Sequence, residues 1–276
     1  LLDRIISIEK EIAKLKTQIK EPMLIADEIF SKYFKLSLEQ FSEIEQKVIF
    51  KGDLFNISKS KQLRSSLKFH HPKFDFILGK AKNFKTVKLK QLLKEPVRRG
   101  VQPEYEEDGE IQVIKTVNIK NGYIDLSKVE YVNNEFFKRK SKKAGIKFSD
   151  ILIASTGTGS IGKVDIWESN EEALADSHIS IVRIDRDKIN PYYLTHYLRS
   201  IFGYSQIEIH FSGMSNQIEI YPNDIEKFEI LIPNGTLQDE IVKEIDTRLN
   251  EQKKITEQIE KFKQEINNLI KEAIFG

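Results

Sequence analysis

Residues 151–164 read ILIASTGTGSIGKV, an apolar run followed by a glycine-rich loop. Gly157, Gly159 and Gly162 match GxGxxG, and the first and last of them, with the lysine that follows, match GxxxxGK; both are motifs of nucleotide-binding loops. Both motifs need a helix that begins at the last glycine and directs its N-terminus at a phosphate. Residues 163–167, KVDIW, instead alternate polar and apolar side chains, which predicts a second strand. The stretch therefore predicts a strand, a glycine turn and a strand.

The turn carries small polar side chains and one cation on this expected strand scaffold. Hydroxyl groups and flexible backbone N–H groups are typical of loops that contact nucleic acid. An ordinary glycine hairpin and a nucleotide-binding enzyme that uses the loop are the alternatives, although Val164 lacks the hydroxyl with which a P-loop residue reaches Mg²⁺. The candidate contact residues of this turn are Thr156, Thr158, Ser160 and Lys163.

The overall composition is that of a soluble globular protein. The chain has 276 residues, of which 39% are hydrophobic and 31% charged, so it can fill one large domain or two smaller ones. Cysteine is absent, which excludes disulfides and thiol catalysis and agrees with a cytoplasmic protein. No stretch approaches the roughly 18 apolar residues that a membrane span needs. A net charge of +2 does not indicate a nucleic-acid ligand unless the cations are clustered.

Both ends of the chain carry a repeating apolar pattern. Apolar residues recur at spacings of four and three, which is typical of coiled-coil helices. We expect one long helix over residues 1–35, which Pro22 kinks or divides, and another over residues 237–276. Two amphipathic helices on a domain core are the alternative. The repeating positions are Leu1, Ile5, Ile8, Ile12, Leu15 and Ile19 in the first segment and Ile255, Ile259, Phe262, Ile266, Leu269 and Ala273 in the second.

Residues 36–236, between these helices, predict a mixed, strand-rich domain. Alternating apolar residues indicate strands, separated by turn signals such as Asn121-Gly122. A helix is expected from Pro191, with Asn190 as its cap. The sequence therefore predicts an α+β fold in which one domain is flanked by two long helices. The expected strands are residues 83–93, with a short helix at the end, and residues 111–119, 123–132, 179–184 and 228–232.

Two further loops concentrate residue types that contact DNA. Residues 95–103, EPVRRGVQP, and residues 212–217, SGMSNQ, combine Pro or Gly with arginines or amides. Arginine binds guanine edges and phosphates in duplex DNA, and glutamine binds adenine edges. Solvated loops without a ligand are the alternative. Together with the strand over residues 111–119, these loops give the candidate DNA-binding residues Arg98, Arg99, Gln102, Lys115, Thr116, Asn216 and Gln217.

The sequence offers little support for catalysis or for a metal site. The five histidines show no HExxH or HxH spacing, and the cysteines that could complete a zinc site are absent. We therefore expect no catalytic residue, no metal and no cofactor.

A series of segments along residues 84–276 occurs in a characteristic order. They are RRGVQPEY at 98–105, ILIASTGTGSIGKV at 151–164, DSHISIVRI at 176–184, NPYYLTHYLRS at 190–200 and FEILIPNGTLQDEIV at 228–242, with a heptad helix after them. This order resembles the specificity subunits of type I restriction–modification systems. The resemblance implies a target-recognition domain that reads half of an interrupted DNA site. It also implies long helices that separate two such domains and dock DNA methyltransferase subunits, which act with a restriction subunit.

The chain departs from that family because we expect one recognition domain rather than two. It begins at Leu1 rather than Met, and three alternatives stay open: a half-length subunit, the C-terminal half of a longer one, or the specificity part of a fused methyltransferase–endonuclease. The resemblance implies a non-enzymatic reader of double-stranded DNA without membrane association, with a homodimer through the long helices as one arrangement. A nucleotide-binding enzyme and a protein-assembly scaffold are the alternatives from other classes.

Overall fold

The computed structural model describes residues 1–49, 70–81, 84–213 and 217–275. A short 3-10 turn, Leu89–Leu92, follows the first strand. The helices in these ranges are α1 (Leu2–Lys16), α2 (Pro22–Phe34), α3 (Leu38–Glu45), α4 (Pro72–Ala81), α5 (Asn134–Ala144), α6 (Pro191–Arg199), α7 (Ile201–His210), α8 (Pro222–Ile225) and α9 (Gly235–Phe275). The strands are β1 (Thr86–Lys88), β2 (Arg98–Arg99), β3 (Ile111–Ile114), β4 (Glu130–Val132), β5 (Gly145–Ile146), β6 (Ile151–Ala154), β7 (Val164–Ile166), β8 (Ala173–Ala175), β9 (Ile179–Val182) and β10 (Glu229–Leu231).

The strands form small sheets of mixed direction. β1 pairs with β10, the order β2-β9-β6-β7 makes an antiparallel sheet, and the order β4-β3-β8-β5 makes a second four-stranded sheet. In the last sheet β3 and β8 run parallel, and the outer pairs are antiparallel. Helices combined with mixed sheets confirm the α+β class that the sequence predicts.

The strand, glycine turn and strand expected over residues 151–167 are confirmed. β6 and β7 pair antiparallel, with Ile151 opposite Ile166. Every β6 residue is buried, because alternate side chains face the main core and a second apolar cluster. A strand that is covered on both faces needs a continuous apolar run, and this explains the sequence ILIA.

The N-terminal segment forms two helices, so of the two effects expected of Pro22 the structure has the division and not the kink. α2 begins at Pro22, whose fixed φ and missing N–H suit the first turn of a helix. α2 then enters the main core. The Phe30 ring is fully buried, and its centroid lies 5.6 Å from that of Tyr193 and 5.7 Å from that of Tyr197, both on α6. The second half of the N-terminal segment is therefore packed into the globular part of the chain.

The helix expected from Pro191 is confirmed, and it fixes β10 against the core. Asn190 caps it, because its Oδ1 accepts a hydrogen bond from the Tyr192 N–H at 2.8 Å. The buried Tyr193 hydroxyl donates to the Leu231 carbonyl oxygen at 2.9 Å.

The apolar patterns at the two ends of the chain pack against each other. Arg4 pairs with Glu265 at 2.6 Å, and the Lys20 N–H donates to Gln252 Oε1 at 2.8 Å, so α1 and α9 run antiparallel. The seam that the sequence predicts therefore closes within one chain. Its buried residues are Ile8, Ile12, Leu15 and Ile259, with Ile255, Phe262, Ile266 and Leu269 packed against them. None of the described helices is apolar enough over sufficient length to cross a membrane.

Two expected strands are shorter than the sequence suggests. The strand over residues 111–119 stops after β3, because the Lys115 N–H donates to Asn118 Oδ1 at 2.9 Å and a turn begins. In the segment over residues 123–132, β4 occupies only the end. The sequence did not predict α5, in which charged residues outnumber apolar ones, or the three-residue strand β8.

Candidate nucleic-acid interface

The parallel strands β3 and β8 bring two segments of polar residues to one edge of their sheet. Ile114 and Ala175, the last residues of the two strands, are paired. Lys115 and Thr116, which follow β3, therefore lie beside residues 176–178, DSH, which follow β8. This edge is where the other predicted loops also arrive.

The loop over residues 95–103 reaches this edge through β2. The Gly100 N–H donates to the Ile179 carbonyl oxygen at 2.9 Å. A Cβ at Gly100 would lie 2.1 Å from the Asp176 carbonyl oxygen, so this close approach requires glycine. Two residues further on, Gln102 Oε1 accepts a hydrogen bond from Ser177 Oγ at 3.4 Å.

The glycine turn joins the same edge from β6. Thr156 Oγ1 and His178 Nδ1 are hydrogen-bonded at 2.8 Å. Gly157 takes a φ of 85°, and its N–H donates to the Ile218 carbonyl oxygen at 3.0 Å. Thr156 also forms an antiparallel bridge with Glu219, just beyond the third loop. The three loops that the sequence predicts separately are thus in direct contact.

We call this surface the recognition face. Most of the predicted contact residues lie on it or in the turns that form it, and His178 joins them. Gln102, Thr158, His178 and Gln217 are exposed, whereas the others are partly buried. Asn216 lies outside the described residues. The residues of the recognition face are Gln102, Thr156 and His178, whose contacts join the loops, and Lys115, Thr116, Thr158, Ser160, Lys163 and Gln217, which lie in the turns around them.

Arg99 is bonded to two of the segments that form the recognition face. Its Nε donates to the Ser177 carbonyl oxygen at 2.8 Å, and its Nη1 lies 2.7 Å from Glu219 Oε1. The side chain is only 17% exposed, and burial lowers the pKa of its guanidinium while Glu219 opposes that shift. Arg99 therefore links the first loop to the turn after β8 and to the end of the third loop.

Arg98 lies on the opposite side of β2, because neighbouring residues of a strand point to opposite faces. Its Nη1 donates to the Lys142 carbonyl oxygen of α5 at 2.6 Å, and its Nη2 lies 3.0 Å from Glu95 Oε1. The structure thus does not bring Arg98 onto the recognition face.

The two lysines differ in their surroundings. Lys115 Nζ pairs with Glu130 and lies 5.4 Å from the centroid of the Tyr105 ring. Lys163 is partly exposed, and among the described residues no carboxylate lies within ion-pairing distance of its ammonium group. An anion could therefore bind Lys163 without displacing a carboxylate, whereas at Lys115 it would displace Glu130.

The backbone of the glycine turn is already hydrogen-bonded within the protein. Its N–H groups donate to carbonyl oxygens of the turn itself, of β6 and of residue 218, whereas a phosphate-binding loop needs N–H groups that point outward. The strand β7 also follows the turn, so the helix N-terminus that both nucleotide-binding motifs need does not follow the last glycine. The N–H donors that are satisfied in this way belong to Gly157, Ser160, Ile161, Gly162 and Lys163.

Sequence reasoning missed His178 and Glu219. His178 belongs to the segment DSH, which lies between the buried strands β8 and β9. A short polar segment between two apolar runs could have indicated an exposed turn with functional side chains. Glu219 carries no comparable signal, because its value to the site depends on Arg99, which is distant in sequence. Within the described residues, no group of three or more His, Asp or Glu side chains could hold a metal ion.

Comparison with known proteins identifies the family. The family model described as the type I restriction modification DNA specificity domain matches residues 81–274. The chain belongs to this family. A DNA specificity domain recognises target DNA for a restriction–modification system and is not itself catalytic. The matched residues include the entire recognition face and most of α9.

Solved structures of specificity subunits are similar to this specificity domain, though distantly. The S subunit of a type I restriction–modification system from M. genitalium is 15% identical, with 58% of this chain and 37% of that chain covered and a TM-score of 0.41. A structure that describes complex assembly and conformational transition of the type I system is 14% identical, with 76% and 53% covered and a TM-score of 0.45. The HsdS subunit from Thermoanaerobacter tengcongensis is 12% identical, with 95% and 52% covered and a TM-score of 0.39.

The chain spans between about one third and one half of the length of these solved chains. No curated protein sequence matches it.

Proposed function

We propose that this specificity domain reads one half-site of an interrupted duplex DNA target through the recognition face. The observation that carries the proposal is the contact between the three loops, which gathers amide, hydroxyl and imidazole groups at one sheet edge. These groups can donate to and accept from base edges in the major groove. Half-site reading is proposed because the described residues present one such face to the DNA.

Within this proposal, exposed and buried polar residues have different roles. Gln102, His178 and Gln217 are exposed and are assigned to base contacts. Lys163, which has no carboxylate partner among the described residues, is assigned to a phosphate. Arg99 is assigned to positioning the loops, because its guanidinium is already bonded to Glu219 and Ser177.

We also propose that α1 and α9 dock the DNA methyltransferase subunits. Both helices leave large apolar side chains exposed at the end of the pair that is distant from the core: Leu2 is 69% exposed and Ile274 is 65% exposed. Ile6 and Ile270 add to this apolar end at 40% each. A homodimer through the same helices is the competing use of this surface. The restriction subunit and a second recognition domain would then join in the assembled complex. This holds whether the chain is a half-length subunit, half of a longer subunit or part of a fused enzyme.

DNA binding by the purified chain at several salt concentrations tests the proposal. We expect the logarithm of the association constant to fall linearly with the logarithm of salt concentration, because phosphate contacts release counterions. Lys163→Gln should reduce the slope by about 1, and Lys254→Gln, on the exposed face of α9, is the control.

Calorimetry with ATP, NAD and S-adenosylmethionine tests the nucleotide-binding alternative. We expect no binding heat from any of the three and no DNA methylation or cleavage by the chain alone. ATP binding that Lys163→Gln abolishes, without duplex binding, would replace the proposal with the nucleotide-binding enzyme. A chain that binds neither DNA nor nucleotide would support the scaffold.

A further inference from the structure

The helix α5 carries a cluster of positive charge. It carries five cations and one carboxylate in its eleven residues, NEFFKRKSKKA. The chain has 44 cations and 42 carboxylates, so the residues outside α5 hold 39 cations and 41 carboxylates. α5 therefore carries a net charge of +4 in eleven residues, against +2 for the whole chain, and such a cluster of cations is what a polyanion-binding surface requires.

Four of the five cations of α5 are exposed to solvent, while its apolar residues are buried. Phe136 and Phe137 pack in an apolar cluster with β3, β4 and β8. Several exposed cations are three or four residues apart on the helix, where like charges repel. The exposed cations, which we call the basic face, are Lys138, Arg139, Lys142 and Lys143.

Carboxylates of the protein neutralise little of the basic face. Arg139 lies 3.4 Å from Glu104, but both side chains are more than half exposed, so this ion pair is weak. Among the described residues, no carboxylate is within ion-pairing distance of the three lysines. The acidic segment over residues 104–110 bonds instead to the N-terminal end of α5, through Glu106 to Asn133 and through Glu110 to Asn134.

The charge of the helix exceeds what helix stability requires. Lys142 and Lys143 lie in the last turn, where cations stabilise the carbonyl end of the helix dipole. Lys138 and Arg139 lie in the middle of the helix and gain nothing from that effect. They extend the positive surface beyond the last turn.

The basic face and the recognition face lie on either side of β2. Arg98 bonds to the Lys142 carbonyl oxygen, and it precedes Arg99, which supports the recognition face. Glu104, the partner of Arg139, is two residues from Gln102. A duplex that lies on the recognition face and extends past β2 would therefore meet α5.

We propose that the basic face binds the phosphate backbone of duplex DNA beside the half-site, independently of sequence. This rests on the proposed function, because it assumes that DNA lies on the recognition face. Residues 138–143 rise about 7.5 Å along the helix, and each DNA strand has one phosphate per about 3.4 Å, so the basic face matches about two phosphates.

A charge-neutralised variant tests the basic face. We would replace Lys138, Arg139, Lys142 and Lys143 together by Gln, which keeps helix propensity. The matched control replaces four exposed lysines of α9 by Gln, and so makes the same change in net charge. These control positions are Lys253, Lys254, Lys261 and Lys271.

The salt dependence of binding gives the decisive readout. In the α5 variant, the slope of the logarithm of affinity against the logarithm of salt concentration should decrease by about 2. Each lost phosphate contact removes about 0.9, and the basic face matches about two phosphates. The α5 variant should weaken cognate and non-cognate duplexes by the same factor and keep the same sequence preference, whereas the α9 variant should retain the wild-type slope. Circular dichroism and urea unfolding check that both variants keep the helix content and stability of the wild-type chain.

An unchanged slope in a folded α5 variant would overturn the basic-face proposal. The same is true if that variant binds DNA normally but loses its methyltransferase partner, since α5 would then contact an acidic protein surface. If the wild-type chain binds duplex DNA without any sequence preference, the proposed function fails, and the comparison of slopes still decides the role of α5.

Discussion

Gly100 sets how closely the first loop approaches the turn after β8. Replacing Gly100 by Ala should destabilise the protein by about 1–3 kcal/mol, because the new Cβ would lie 2.1 Å from the Asp176 carbonyl oxygen and 2.3 Å from that of Ala175. Urea unfolding measures the change. Gly159→Ala is the matched control, because a Cβ there meets nothing within 4 Å. Equal stability of the two variants would contradict the close approach.

The loop residues of the recognition face were predicted only in part. The polar composition of the loops was sufficient to select Gln102, Thr156 and Gln217, which the structure brings to one surface. It was not sufficient to separate Arg98 from Arg99, because a two-residue strand has no period that indicates which side chain faces the site. The burial of Arg99 beside Glu219 depends on a contact between distant residues, which one sequence does not reveal.

At the scale of elements, α2 and α7 are joined by a buried carboxyl group. Asp27 on α2 is 4% exposed, and its Oδ1 accepts a hydrogen bond from the Ile201 N–H, at the start of α7, at 2.6 Å. Burial raises the pKa of Asp27 to about 7, and the hydrogen bond opposes this shift. Between its usual pKa of 3.8 and about 7, the folded protein holds a proton that the unfolded chain releases.

Stability should therefore fall as pH rises through this window. The limiting contribution of one proton is about 1.4 kcal/mol per pH unit. Asp27→Asn keeps the acceptor oxygen and should remove this part of the pH dependence, as measured by urea unfolding between pH 4 and pH 8. Asp3→Asn, at an exposed position of α1, should leave it unchanged. If Asp27→Asn and wild type have parallel stability profiles, Asp27 does not titrate as described.

Elements with strong local signals were predicted well. The apolar run of β6, the capped start of α6 and the regular spacing in α9 each depend on neighbours in sequence. The elements that were missed depend on tertiary contacts. β8 is three residues long and is stable as a strand because β3 and β5 flank it. The pairing of α1 with α9 also joins opposite ends of the chain. The apolar spacing indicated that each helix has a packing seam, but not that the two seams pack against each other.

In the whole molecule, α1 and α9 form an antiparallel pair, so a test of whether helix length sets the DNA spacer must lengthen both helices. An insertion in α9 alone would move Glu265 away from Arg4 and disturb the shared seam. Matched insertions of seven residues, after Ile8 in α1 and after Gln258 in α9, keep the heptad phase of both helices. They lengthen the pair by about 10 Å, which corresponds to about three base pairs of DNA.

If these helices separate two recognition domains in the assembled enzyme, the unspecified spacer should grow by about three base pairs while the half-site bases stay the same. Methylome sequencing of cells that carry the variant with its partner subunits measures both. A variant inserted in α9 alone is expected to lose assembly. Methylated sites with the original spacer, or with different bases, would contradict the role of the helices as a ruler.

Selection from a random pool of duplex DNA with the purified chain tests whether the recognition face reads bases. We predict that the wild-type chain enriches one short motif. Gln102→Ala should lose about 1–3 kcal/mol of discrimination at one base pair of that motif, whereas Gln258→Ala, at an exposed position of α9, should keep the full motif. The absence of any enriched motif, or an identical motif from wild type and from the Gln102→Ala, His178→Ala and Gln217→Ala variants, would contradict base reading by this face.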